Sequence, residues 1–152
     1  MDTINGEVKM HESAGGVVFY LSPTEKTLWV ALVQKQNLQY FLPKGHLKSG
    51  ESPYEAAIRE IKEELTLEDD LRLIGELGTQ SYTFFLAGDE ILHKKDVHLF
   101  VYSLKKKSQI GPRVEENFIE ARWVKFEEAV EIIAYDQEIL KKAKRIFESN
   151  HQ

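Results

Sequence analysis

Two apolar runs near the N-terminus are separated by turn residues and predict a β-hairpin. Residues 14–21 (AGGVVFYL) and 27–34 (TLWVALVQ) are rich in β-branched and aromatic side chains, which favour strands. The intervening SPTEK has the composition of a turn. A short apolar run, QYFLP, follows and stops at Pro43, which cannot donate a hydrogen bond within a sheet. The pattern then predicts a loop over KGHLKSG.

The clearest helix start in the chain follows that loop. Ser52 suits the N-cap and Pro53 the first helical position, and Glu55 completes a capping box three residues after the cap. Apolar side chains then recur at helical spacing and define one face that is predicted to pack on the core. They are Tyr54, Ala57, Ile58, Ile61 and Leu65.

The second half of the chain reads mainly as strands and ends in a helical pattern. LRLIGELG and SYTFFLA predict strands, AGDE a turn, ILHKKDVHLFVYSL a further strand and ARWVKF a short last one. An amphipathic helical region over EEAVEIIAYDQEILKKAKRIFE follows, with a break near Asp136. Strands punctuated by one central and one terminal helix indicate an α/β (α+β) fold, a mixed sheet between helices. We expect one domain over residues 1–152.

Composition narrows the classes of partner. With 20 basic against 25 acidic residues and a net charge of -5, the chain lacks the basic surplus that binding to nucleic acid or to an acidic membrane requires. It contains no cysteine, which suits a reducing compartment. The N-terminus has no secretory pattern, and no apolar run approaches the ~18 residues of a membrane span. We expect an unprocessed cytoplasmic protein, a monomer or homodimer, that binds a small molecule.

Three glutamates crowd one side of the central helix. At about 100° per residue, Glu60, Glu63 and Glu64 fall within about 100° of arc, and Glu60 repels Glu64 one turn later. Arg59 supplies one positive partner, and a hard divalent cation such as Mg²⁺ or Mn²⁺ can supply the rest. Such a site suits phosphoryl chemistry. The competing interpretation is a solvated, glutamate-rich helix face.

The spacing around these glutamates resembles the Nudix box of the Nudix hydrolase family, MutT-like enzymes that cleave a nucleoside diphosphate linked to another group. The matching positions are Gly45, Glu51, Arg59, Glu60, Ile61, Glu63, Glu64 and Leu67. One position departs from the family pattern, because Thr66 stands where the family usually has glycine. A glycine there would end the helix with a positive φ, which a β-branched residue resists. The resemblance implies the Nudix fold over nearly the whole chain.

The resemblance also implies roles for individual residues. It assigns catalysis and the binding of Mg²⁺ or Mn²⁺ to Glu60, Glu63 and Glu64, and the Gly45 carbonyl to the same cation. Glu51 and Arg59 would hold the loop against the helix, for which the competing interpretation is a plain salt bridge. The family's catalytic base often lies outside the box. RVEENFIEARW offers Glu116 as first choice, with Glu115 and Glu120 as alternatives.

The residues that flank the box bear on the substrate. LPKGH looks like the lead-in of the diadenosine polyphosphate hydrolase branch, in which Lys44 would contact phosphate and His46 would lie nearby. Tyr82 lies where that branch tends to carry a purine-stacking tyrosine. A dinucleoside polyphosphate such as diadenosine tetraphosphate is therefore the expected substrate.

Other substrates and a non-enzymatic role remain as alternatives. The ADP-ribose branch would carry a proline between Pro53 and Pro112, and none occurs there. Diphosphoinositol polyphosphates would need a denser basic patch than His93, Lys94 and Lys95 provide together with Lys44. A (d)NTP pyrophosphohydrolase of the nucleotide-pool sanitising type stays open, as does a nucleotide-sensing module that binds without turnover.

Overall fold

The computed structural model describes residues 7–88, 90–113 and 117–150. Its elements are β1 (Val8–Leu21), β2 (Leu28–Lys35), β3 (Tyr40–Phe41), β4 (Lys44–His46), α1 (Pro53–Leu65), β5 (Arg72–Phe84), β6 (Leu92–Ser103), β7 (Phe118–Lys125), α2 (Phe126–Ile132) and α3 (Gln137–Asn150). None of the helices in these ranges is long and apolar enough to cross a membrane.

The strands form one mixed sheet. Its central order is β3-β2-β1-β6-β5, while β4 pairs with β1 and β7 pairs with β2, giving seven strands within the described ranges. β1 runs parallel to β6, from Val8 opposite Leu92 to Phe19 opposite Ser103, whereas the other pairings are antiparallel. The long parallel pairing explains why β1 begins at Val8, well before the apolar run that predicted it.

Helices cover both faces of this sheet, which confirms the predicted fold class. Alternate residues of a strand point to opposite faces, so β1 and β6 contribute to two apolar cores. The core under α1 includes Ala14, Val18, Phe100, Tyr102, Ala57, Ile61 and Leu65. The core under α2 and α3 includes Val17, Phe19, Leu99, Val101, Ala129, Leu140 and Phe147.

The segments LRLIGELG and SYTFFLA are joined in the single strand β5. Two irregularities in its pairing with β6, between Leu73 and Gly75 and between Glu76 and Gly78, absorb the extra residues. Such bulges break the alternation of side chains between the two faces of the sheet. The sequence pattern therefore predicts two strands where the structure has one. The predicted loop over KGHLKSG is wrong in its first three residues, because Lys44–His46 form strand β4. This short strand is fixed by its pairing with residues 13–15 of β1, which no local pattern indicates. The other predicted strands and helices agree with the structure where it describes them, including the break between α2 and α3.

Helix α1 ends in a backbone conformation that favours glycine, although the residue there is a threonine. Thr66 adopts the left-handed conformation, with φ 50° and ψ 49°. The Thr66 hydroxyl donates a hydrogen bond to the Pro112 carbonyl at 3.2 Å, and the Gly111 N–H donates to the Leu65 carbonyl at 2.9 Å. These contacts with the segment before β7 offset the steric cost that a β-branched residue meets at positive φ.

Candidate active site

The first turn of α1 fixes how the helix meets the sheet. The Ser52 side chain accepts a hydrogen bond from the Glu55 N–H, and the Glu55 carboxylate accepts one from the Ser52 N–H, so the predicted capping box is present. The apolar stripe of α1 then packs on β1 and β6. Glu60 and Glu64 consequently lie against the sheet near β4, and only 7% and 5% of their surfaces remain exposed.

Arg59 is the centre of an ionic network that joins the loop to the helix. It donates from Nε and Nη2 to the two carboxylate oxygens of Glu51, at 2.6 and 2.9 Å, and from Nη2 to the His46 carbonyl at 3.0 Å. Its Nη1 reaches Glu60 at 2.7 Å and Glu63 at 3.3 Å. Hydrogen bonds from Arg59, and then from the Lys48 N–H, lower the pKa of Glu51 to about 2.

Strand β4 lies in direct contact with the carboxylates. Gly45 pairs with Ala14, on the sheet face that carries α1, and a Cβ added at Gly45 would lie only 1.9 Å from Oε2 of Glu60. The neighbouring Lys44 N–H donates to Oε1 of Glu64 at 3.0 Å. Only glycine therefore fits at position 45 without displacing the Glu60 side chain.

A second arginine approaches the same carboxylates from outside the helix. Nη1 of Arg113 lies 3.8 Å from Oε2 of Glu60 and 3.4 Å from Oε2 of Glu63. Sequence reasoning missed Arg113, since it belongs to a segment without regular structure more than forty residues after α1 and no spacing rule connects the two.

These groups border a cleft of about 300 Å³. One wall carries Glu60, Glu63 and Glu64, and the side chains around them include Ser13, Lys35, Lys44, His46, Lys48, Lys95 and Arg113. Burial lowers the pKa of Lys44, whereas the nearby Asp136 carboxylate opposes that shift. Burial and the charges of Lys44 and Lys35 lower the pKa of Lys95. Three lysines thus crowd a small volume, an arrangement that a polyanion would relieve.

The predicted substrate residues lie in or beside this cleft. His46 lines the cleft, and its Nδ1 lies 3.5 Å from the Ser13 hydroxyl. Tyr82 stands opposite Lys95 in the pairing of β5 with β6 and is 47% exposed. Its hydroxyl donates to Oε1 of Gln80 at 2.6 Å. Partial burial, and then the charge of Asp136, raise the pKa of Tyr82.

The predicted catalytic base is not placed by the structure. Glu116 and Glu115 lie outside the described residues. Glu120 belongs to β7, where it forms an ion pair with Nε of Arg122 at 3.1 Å, and it is not among the side chains that line the cleft. The choice of Glu116, with its two alternatives, stays a prediction.

The carboxylates have the right chemistry for a cation but are turned toward arginines. Oxygen ligands from carboxylates and carbonyls are those that Mg²⁺ and Mn²⁺ prefer, and Gly45 lets Glu60 approach the β4 backbone. Yet in the ranges described no three acidic, histidine or cysteine side chains converge as metal ligands would. The reason is local, because Glu60 and Glu63 contact Arg59 and Arg113 through both of their oxygens.

The relation to known proteins follows from a sequence comparison. The model of the family described as the NUDIX domain matches residues 10–145, most of the chain. The chain belongs to the Nudix family. Nudix membership makes this protein a hydrolase that acts on pyrophosphate bonds, and the box around Glu60 lies inside the matched range.

Solved Nudix structures share the fold of this chain at low sequence identity. An Ap4A hydrolase from C. elegans, in a binary complex, is 21% identical with a TM-score of 0.70, over 91% of this chain and 98% of that one. The NUDIX domain of Shewanella oneidensis NrtR, complexed with ADP ribose, is 16% identical with a TM-score of 0.68, over 95% and 92%. The E. coli dihydroneopterin triphosphate pyrophosphohydrolase is 18% identical with a TM-score of 0.66, over 86% and 92%. Neighbours with different ligands share this architecture, so the fold leaves the substrate open.

Proposed function

We propose that this Nudix hydrolase cleaves a dinucleoside polyphosphate, such as diadenosine tetraphosphate, by attack of water on phosphorus with Mg²⁺ or Mn²⁺ as cofactor. The observation that carries the proposal is the juxtaposition, in one cleft, of three glutamates with a group of lysines. Carboxylates suit the cation and lysines suit the phosphates it accompanies, so both parts of a metal–polyphosphate complex find complementary groups.

Each part of the cleft has a distinct task in this proposal. Glu60, Glu63, Glu64 and the Gly45 carbonyl would hold the cation, which supplies charge neutralisation and activation of water. Lys44 binds phosphate as a point charge, and His46 lines the same wall. Glu51 and Arg59 keep the loop and helix in register through their paired hydrogen bonds. Glu116 takes the proton, with Glu115 and Glu120 as alternatives.

The lysine side chains that line the cleft favour a long polyphosphate over a short one. Lys44 and Lys95 line the same cleft. Tyr82 pairs with Lys95 and belongs to β5, the outer strand of the sheet. A chain of phosphates can follow these charges and bring a nucleobase to the half-exposed Tyr82 ring, where stacking stabilises binding by ~1–3 kcal/mol. The shared fold with an Ap4A hydrolase is consistent with such a substrate.

We further propose that residues 1–152 act as one domain in the cytoplasm, as a monomer or homodimer.

The lysines of the cleft also favour diphosphoinositol polyphosphates as a second candidate substrate. Lys35, Lys44 and Lys95 line the same cleft, and the basic patch is therefore denser than the sequence predicted. The charge of Lys35 contributes to the lowered pKa of both Lys44 and Lys95. A (d)NTP substrate remains the alternative of the nucleotide-pool sanitising type. The three classes differ in the number of phosphates and in the group attached to them, so a substrate panel separates them.

The test is a hydrolysis screen with Mg²⁺ over dinucleoside polyphosphates, (d)NTPs, ADP-ribose and diphosphoinositol polyphosphates, with products resolved by anion exchange. We expect diadenosine tetraphosphate to give ATP and AMP with the highest kcat/KM. Glu63→Gln should abolish turnover without unfolding the protein, whereas Glu68→Gln, an exposed glutamate just beyond α1, should retain it. Tight binding without product release would contradict the enzyme proposal and favour a nucleotide-sensing module.

A further inference from the structure

Two guanidinium groups hold the carboxylates on which the proposed cation depends. Nη1 of Arg59 contacts Oε1 of Glu60 at 2.7 Å and both oxygens of Glu63 at 3.3 Å. Nη1 of Arg113 faces the other oxygen of Glu60 at 3.8 Å and Oε2 of Glu63 at 3.4 Å. All four oxygens of Glu60 and Glu63 thus have a positive neighbour in this conformation.

The two arginines differ in their contacts with these carboxylates. Arg59 belongs to α1 itself and is fixed by Glu51 and the His46 carbonyl at 2.6–3.0 Å, so its position is set by the same capped helix that carries the glutamates. Arg113 belongs to the segment between β6 and β7, and its contacts with Glu60 and Glu63 are longer. Because the contacts of Arg113 with these carboxylates are the longer ones, a competing cation would displace Arg113 from them before Arg59.

A divalent cation on these carboxylates creates that requirement. Mg²⁺ and Mn²⁺ coordinate carboxylate oxygens at about 2 Å, which would bring the ion close to any guanidinium that contacts the same oxygens at 3.4 Å. Like charges at such distances repel strongly where water is partly excluded, and Glu60 is nearly buried. The cation and Arg113 therefore compete for the same pair of side chains.

We propose that Arg113 is an exchangeable counterion of this site: it neutralises Glu60 and Glu63 in the metal-free protein, yields to the divalent cation, and then contacts substrate phosphate. Arg113 already lines the cleft that contains Lys44 and Lys95, so a modest change of side-chain direction brings it to a polyphosphate. A guanidinium suits this second partner because its forked donors match phosphate oxygens. The inference rests on the proposed function for the cation and the phosphates, and it adds a residue that exchanges between them.

The first test measures, by calorimetry, the equilibrium binding of Mn²⁺ to the wild type, Arg113→Gln and Arg113→Lys. Arg113→Gln removes the competing charge and should bind Mn²⁺ about two to five times more tightly, as expected for loss of a partly exposed ion pair. Its metal-free Tm should fall while its Mn²⁺-induced rise in Tm grows. Arg113→Lys, which keeps the charge, should lie near the wild type. Arg122→Gln, an arginine paired with Glu120 and Glu128 away from the cleft, is the matched control.

The second test uses methylenediphosphonate, a pyrophosphate analogue that resists hydrolysis, at saturating Mn²⁺. Arg113→Gln should bind it about tenfold more weakly than the wild type, as expected for the loss of one charge-assisted contact. Unchanged or weaker Mn²⁺ binding by Arg113→Gln, or unchanged affinity for the analogue, would overturn the proposal. A purely structural role would lower the Tm equally with and without Mn²⁺.

These measurements separate this inference from the substrate proposal. If no nucleotide in the hydrolysis screen is cleaved but both binding shifts occur, the exchange by Arg113 stands and the substrate proposal fails. If diadenosine tetraphosphate is cleaved while Mn²⁺ affinity is the same in Arg113→Gln and the wild type, the substrate proposal stands and the exchange is wrong.

Discussion

Arg59 and Glu51 form a two-pronged ion pair, in which Nε and Nη2 of the arginine donate to the two oxygens of one carboxylate at 2.6 and 2.9 Å. The pair links the end of the loop after β4 to the second turn of α1 and so fixes the β4 backbone relative to the glutamates. Planar, bidentate geometry of this kind is specific to arginine, so lysine at position 59 would not replace it.

The first prediction concerns the pH dependence of that pair. The folded-state pKa of Glu51, about 2, lies below its ordinary value of 4.5, so the pair stabilises the fold fully above pH 4.5 and progressively less as pH falls toward 2. Glu51→Gln should therefore be less stable than the wild type at pH 7. The difference in unfolding free energy, measured by denaturant titration, should shrink below pH 4.5 and be lost as pH falls through 2. A difference that is constant from pH 7 to pH 2 would contradict this account, and Glu68→Gln serves as control.

The second prediction concerns the glycine beside Glu60. Gly45→Ala places a Cβ where Oε2 of Glu60 now lies and forces that carboxylate to move. Misplacement by about 1 Å can reduce a rate by about 10²-fold, so we expect kcat to fall to this extent with little loss of secondary structure by circular dichroism. Gly111→Ala is the control, because a Cβ at Gly111 meets no atom within 4 Å. Equal activity of the two variants would refute the role of this close approach.

The third prediction concerns the strained end of α1. Thr66→Val keeps the branched shape but loses the hydroxyl that bonds to Pro112, which should lower the unfolding free energy by about 1 kcal/mol. Thr66→Gly loses the same bond but relieves left-handed strain of ~1–2 kcal/mol, against an entropic cost of ~0.5–1 kcal/mol. Denaturant titration should thus find Thr66→Gly more stable than Thr66→Val. The reverse order would mean that Thr66 carries no strain.

The fourth prediction links Asp136 to the charge of Lys44. Burial lowers the pKa of Lys44, and the Asp136 carboxylate limits that fall. Asp136→Asn removes the limit, so Lys44 should lose its proton, and with it phosphate binding, at lower pH. The alkaline limb of the pH profile of kcat/KM should shift downward in Asp136→Asn. It should stay in place in Asp70→Asn, whose side chain is fully exposed. An unshifted limb in both variants would separate Asp136 from Lys44.

The fifth prediction concerns the proposed base-stacking ring. Tyr82→Ala removes the ring and should raise KM for diadenosine tetraphosphate about tenfold or more, in line with ~1–3 kcal/mol per stacked base. Tyr82→Phe keeps the ring and loses only the hydrogen bond to Gln80, so its KM should stay within about twofold. If Tyr82→Phe and Tyr82→Ala raise KM equally, the hydroxyl rather than the ring contributes to binding and the stacking hypothesis is wrong.

Local spacing along the chain was enough to predict several parts of the protein. Ser52, Pro53 and Glu55 fix the start of α1 through neighbouring backbone groups, and the helical repeat then brings Glu60, Glu63 and Glu64 to one side. The spacing of the box was also sufficient to indicate the Nudix family. These features arise within about twenty residues, and short-range geometry is what a single sequence encodes most directly.

The surroundings of those glutamates depend on contacts between segments that are distant in the sequence. Arg113 reaches them from a segment without regular structure, and Lys95 joins Lys44 because β1 pairs with both β4 and β6. The Pro112 carbonyl, from a distant segment, accepts a hydrogen bond from Thr66 and offsets the cost of its left-handed conformation. Each of these contacts depends on strand register and on the packing of distant segments, which many sequences can satisfy in different ways and which no local pattern specifies.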